Sequence, residues 1–113
     1  MQKTLEHLKR GVEDYGGVTS PDFKKFASTF RSEFKKELKV VNAEEIKFSV
    51  GHYYISGFFR IGEQTYYFSI SDVRYFPDEN LLIRTAKDYK DYTGGSNHYM
   101  KLRKGMFEEF RGF

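Results

Sequence analysis

Between Glu45 and Ile70 the sequence EIKFSVGHYYISGFFRIGEQTYYFSI alternates apolar and polar residues, and two Gly-X pairs, Gly51-His52 and Gly62-Glu63, interrupt the alternation. Alternation of this kind predicts strands with one buried face. A glycine opening a two-residue loop supplies the positive φ of a type II′ hairpin turn. Turns at both pairs set two registers: Val50 opposite Tyr53, Phe48 opposite Ile55 and Ile46 opposite Gly57, then Phe59 opposite Tyr66, Gly57 opposite Phe68 and Ile55 opposite Ile70. Together they put Ile46, Phe48, Val50, Tyr53, Ile55, Phe59, Ile61, Tyr66, Phe68 and Ile70 on one face, and a one-residue slip would send half of them to solvent. A pattern this specific constrains the fold closely and names no reaction.

The rest of the chain is read around that meander. Leu5, Leu8, Val12 and Tyr15 recur at helical spacing from Gln2 to about Asp14, and Gly16-Gly17 ends the segment. A stronger helix follows, with Ser20 or Thr19 as cap, Pro21 in the first turn and Asp22 at the positive end of the dipole. Its stripe of Phe23, Phe26, Ala27, Phe30, Phe34 and Leu38 needs a large apolar partner, and the meander face is the one on offer. The alternation runs on through SDVRYF until Pro77 to Asn80 breaks it, and Leu81 to Ala86 predicts a fourth strand returning antiparallel. A loop from Lys87 to Tyr99, a last short strand and a helix from Arg103 to Phe110 complete the chain. The expectation is one α+β domain over residues 1–113: an antiparallel β-meander of three to five strands with two N-terminal helices and one C-terminal helix, in two layers.

Two surfaces are candidates for function. The loop carries Tyr89, Tyr92 and Tyr99 as flat amphipathic contact area. Lys87, Lys90 and His98 are its polar and basic groups, Arg84 and Lys101 flank it, and Gly94-Gly95 is a corner where backbone amides could meet a ligand. TGGSN is not a P-loop, because no Gly-Lys-Ser/Thr follows it. The second surface is the other face of the meander, where Tyr54, Phe58, Arg60 and Tyr67 stand among Lys47, Ser49, Ser56, Thr65, Ser69 and Ser71. Rings interleaved with a cation and hydroxyls can stack bases or grip a protein. Covered by a helix, the same rings would form a second small core.

Twelve Phe and nine Tyr without Trp fill a core of aromatic rings, and a formal charge of +3 makes the whole chain no strong polyanion binder. The local excess of positive charge, six basic against two acidic residues, lies between Arg84 and Lys104. No cysteine is present, so neither disulfides nor thiolate metal sites arise. The charged start MQKTLEHLKRGVEDYGG is unlike a signal peptide, and no apolar run nears the ~20 residues of a membrane span. A cytoplasmic protein without a cofactor is expected. HExxH and paired-His spacings are missing among His7, His52 and His98, so no metal centre is expected. An acid–base pair such as His98 with Asp72, assisted by Arg74 or Arg84, could cleave RNA without metal.

The order FSISDVR, LIRTAK, YKDYTGG within Tyr66 to Tyr99 resembles a group of small proteins carried by prophages and other mobile elements of Gram-positive bacteria, themselves without an assigned activity. Compact products of such elements include inhibitors of host defence, anti-CRISPR proteins among them. The resemblance implies action by occupying a nucleic-acid groove or an effector surface. Its expected partner is a bacterial protein or nucleoprotein complex, or nucleic acid itself. A small metal-independent ribonuclease or toxin-like enzyme is the alternative.

Overall fold

The phenylalanine stripe and the meander do meet. A computed structural model describes residues 21–51, 54–70, 78–93, 95–110 and 112. They run α1 (Pro21–Leu38), a 3-10 turn (Lys39–Val41), then strands β1 (Glu44–Gly51), β2 (Tyr54–Ile61), β3 (Gln64–Ile70), β4 (Leu81–Ala86) and β5 (His98–Met100). The five strands form one antiparallel sheet whose spatial order is the order of the sequence. Phe26, Ala27, Phe30, Phe34 and Leu38 are buried at its inner face with Ile55, Phe59, Phe68, Ile70, Leu81 and Ile83. Phe34 sits at the centre, its ring 4.8 Å from Phe68, 5.0 Å from Phe30 and 5.8 Å from Phe107. Each phenylalanine buried this way contributes about 1.5–3 kcal/mol.

Asn42 ends the helical segment. It adopts the left-handed conformation (φ 57°), its amide donates to the Lys39 carbonyl at 3.1 Å, and the Ala43 amide donates to the Leu38 carbonyl at 3.2 Å. That pair of bonds is a Schellman stop, and Ala43 packs against the core cluster to which Leu38 belongs.

The second hairpin has the expected register: Phe59 pairs with Tyr66 and Gly57 with Phe68. Gly62 opens its turn at φ +61°. The first hairpin is displaced by two. Phe48 pairs with Gly57, not with Ile55, and the innermost pair is Gly51 with Tyr54, so the reversal falls one residue later than Gly51-His52. A shift of two preserves which side chains face inward, so the buried face survives. Gly57 now lies between Phe48 and Phe68, whose rings meet edge-on at 5.7 Å across it. A Cβ at Gly57 would stand within bonding distance of the Lys47 carbonyl oxygen, so no larger residue fits. Nearer its start β1 carries a bulge between Glu44 and Lys47, with Glu45 at φ +51°.

The three-helix plan is overturned. Among the described residues α1 is the only α-helix, and the domain is mostly sheet. Instead of a helix from Arg103 to Phe110 the chain makes successive turns, with Met106, Glu108 and Phe110 amides donating to the carbonyls three residues back. Two tertiary contacts account for this. Gly105 holds φ +77° and gives its amide to Glu37 Oε1 at 2.6 Å, and the Leu102 amide goes to the buried Asn80 Oδ1 at 2.7 Å. The turns still bury Leu102, Met106 and Phe107 against the core. The helix expected from Gln2 to Asp14, its neighbouring cap residues and the SDVRYF extension lie outside the described residues.

Candidate functional site

Register assembles the outer face in rows. Lys47, Phe58, Tyr67 and Arg84 are successive partners across β1 to β4, and Ser49, Ser56, Ser69, Leu82 and Tyr99 form the next row. Phe58 and Tyr67 are 5.3 Å apart, and the Arg84 guanidinium lies 4.4 Å over the Tyr67 ring. Arg84 is only 4% exposed. A charge buried this far requires compensation. Here it comes from the ring face and from two carbonyls: Nη2 donates to Asp91 O at 2.7 Å and Nη1 to Thr85 O at 3.2 Å.

The Asp91 contact folds the loop back over the sheet. The two surfaces that the sequence offers separately are therefore one, and the outer face is covered in part by the loop. Tyr89 is half-buried, its ring 5.6 Å from that of Phe58, and Lys47 Nζ lies 5.2 Å from the centre of the Tyr89 ring. Burial, then the charge of Glu45, raises the Tyr89 hydroxyl above its ordinary pKa and keeps it neutral. Tyr92 stands edge-on against Phe58 at 5.3 Å and Tyr67 at 5.9 Å, yet is 61% exposed. Tyr99, on β5 and 53% exposed, is the other large ring presented to solvent among the described residues.

The repeated Asp of KDYKDY is structural. Asp88 Oδ1 accepts from the Lys90 amide at 2.8 Å, Asp91 Oδ2 from the Lys87 amide at 2.9 Å and Asp91 Oδ1 from the Thr93 amide at 3.2 Å. Side chains that bond amides two residues on mimic a backbone turn and hold the loop without secondary structure. Gly95 has φ +73°, and a Cβ there would lie 2.5 Å from the Thr85 carbonyl oxygen, so this glycine lets the loop approach its own strand. Gly94 lies outside the described residues.

The remaining candidates scatter. Lys87 and Lys90 are exposed on the loop, whereas Lys101 is 3.4 Å from Asp78. Arg60 is committed: the bulge brings Glu44 to 2.7 Å and Glu45 to 3.2 Å from it, and their hydrogen bond and charge hold it more firmly protonated. Tyr54 lies on β2 at the Gly51 pair. His98 pairs with Ile83, which puts it on the inner-face register, opposite to Arg84. Those two are not brought together, and Asp72 and Arg74 lie outside the described residues. No group of three or more His, Cys, Asp or Glu among the described residues could share a metal ion. An open depression of about 430 Å³ beside the loop is lined by Glu63, Gln64, Lys87 and Asp91, but the Asp91 carboxylate already holds two amides.

Sequence reasoning named the loop and the outer rings but missed that Arg84 joins them, because its partner is a backbone carbonyl with no sequence signature. The Glu44–Glu45 clasp on Arg60 was hidden too, since it depends on the bulge. No family model, curated protein or solved structure matches this chain.

Proposed function

We propose that this protein acts by binding and not by chemistry, using Tyr92 and Tyr99 to contact a protein surface of a bacterial nucleoprotein complex in the cytoplasm and inhibit it. One observation carries the reading: Tyr92 remains 61% exposed on a loop whose position is fixed by a buried arginine and two aspartate-capped turns. A rigid, half-supported aromatic ring loses little entropy on binding, which is the usual character of an interface anchor. Charge favours protein over phosphate at this face. Lys87 and Lys90 are balanced by Asp88 and Asp91, and the Arg84 guanidinium is already occupied. The likeness to mobile-element proteins supports the inhibitor role. Among the described residues no helix is long and apolar enough to cross a membrane.

The test is capture from a Gram-positive host lysate on the immobilised protein, with and without nuclease. A partner retained after nuclease by the wild type should be lost by the Tyr92→Ala, Tyr99→Ala double variant. Tyr92→Ala alone should weaken that partner by about 1–2 kcal/mol, more than Lys90→Ala does. Equal retention by all variants would remove this face from consideration. RNA cleavage by the purified protein, abolished in His98→Ala, would replace the binding reading with an enzymatic one.

A further inference from the structure

The solvent side of α1 is sorted by charge, although the chain as a whole is nearly balanced. At 3.6 residues per turn, the core side is occupied by Phe26, Ala27, Phe30, Phe34 and Leu38, with Glu33 and Glu37 along one flank. The opposite arc, about 140° wide, holds basic and hydroxyl residues and no carboxylate. Lys24, Arg31 and Lys35 form one row and Lys25 and Lys36 the other, with Ser28 and Ser32 between them. Lys39 in the 3-10 turn follows four residues after Lys35 and falls between the two rows. All are exposed except the half-buried Arg31, and no ion pair joins any of the six cations to a carboxylate among the described residues.

Helix stability alone does not explain this sorting. Cations in the last turn suit the dipole, but Lys24 and Lys25 stand in the first turns, where the dipole opposes them. Four-residue spacing brings Arg31 beside Lys35 and Lys35 beside Lys39, and Glu33 beside Glu37, so like charges adjoin where opposite ones would stabilise. Lys35 Nζ rests 5.8 Å from the Phe48 ring, which identifies the first row as the β1 side.

We infer that this arc is a docking surface for the phosphate backbone of B-form DNA, with α1 lying along the major groove. The two rows are separated by roughly 100° around the helix, about 8–10 Å at its surface and more at the tips of extended lysines. That separation suits the two phosphate rims of a groove about 12 Å wide, which admits an α-helix; the major groove of A-form RNA is too narrow and deep. Between the rows Ser28 and Ser32 leave the floor side of the helix slim and able to hydrogen-bond. From Lys24 to Lys36 the rows extend about 18 Å. The surface lies across the sheet from Tyr92 and is independent of the protein-binding reading above.

The test is fluorescence anisotropy of a labelled 24-base-pair DNA duplex with the full chain, titrated between 50 and 200 mM salt. Five or six phosphate contacts predict a log–log salt slope of about −4.5 to −5.4. Lys25→Gln/Lys36→Gln removes the second row and Arg31→Gln/Lys35→Gln leaves only Lys24 in the first, and glutamine keeps helix propensity, which circular dichroism verifies. Each pair should lose on the order of 10- to 100-fold in affinity at 50 mM salt and reduce the slope by about 2. An A-form RNA duplex of the same length should bind more weakly. Absence of duplex binding at 50 mM salt, an unchanged slope in either variant, or RNA binding as tight as DNA would overturn the assignment.

Discussion

The two faces of the sheet use the same residue types and hold together in different ways. On the inner face, Phe30, Phe34, Phe48, Phe59, Phe68 and Phe107 pack ring against ring beneath a helix, and nearly all of the stabilisation is removal of apolar surface from water. On the outer face, Phe58, Tyr67, Tyr89 and Tyr92 are too few to exclude water by themselves, and a buried cation anchors them through a backbone carbonyl. Burial is non-directional and tolerates small rearrangements, whereas the arginine contact fixes one geometry and fails when one partner is removed. The inner face makes a fold; the outer face makes a positioned surface.

Substitutions in each face should break the molecule differently. Phe34→Ala, at a wholly buried ring, is expected to cost about 3–5 kcal/mol and lower the denaturation midpoint measured by every probe alike. Gly57→Val follows, at about 3 kcal/mol, because its Cβ would collide with the Lys47 carbonyl as well as the Phe68 ring. An unchanged midpoint in equilibrium unfolding would contradict the Phe48–Gly57–Phe68 register.

How far these contacts were legible in the sequence differs between the faces for the same reason. Alternation revealed the inner face even though the first hairpin is displaced by two, since parity and not exact pairing decides which side chains are buried. The segment after Leu102 was misread as a helix because Met106, Phe107 and Phe110 suit helical spacing. The turn that prevents it is set by Gly105 bonding to distant Glu37, which no local pattern announces. The candidate loop was recognisable from its tyrosines. Its fold was not, because Arg84 reads as a free positive charge until its carbonyl partner seven residues on is seen. Reading α1 for its apolar stripe alone likewise hid the sorting of its charges.

On the outer face the expected effects are smaller and local. Arg84→Leu keeps a stem against Tyr67 but removes the donor to Asp91, and should cost about 1–3 kcal/mol. Arg84→Lys should not restore it, since a single ammonium cannot lie flat on the ring and reach two carbonyls together. Asp91→Ala, which frees the Lys87 and Thr93 amides, should cost about 1 kcal/mol and speed tryptic cleavage after Lys87 and Lys90. Resistance equal to the wild type in that digestion would mean that the aspartates do not hold the loop.

The claim that the outer face is a separately held platform is tested most directly by amide hydrogen exchange on Arg84→Leu beside the wild type. The Lys87, Lys90, Asp91 and Thr93 amides, bonded within the loop, should lose protection while the amides of β2 and β3 keep theirs. Uniform loss across loop and sheet, or no loss in the loop, would contradict it.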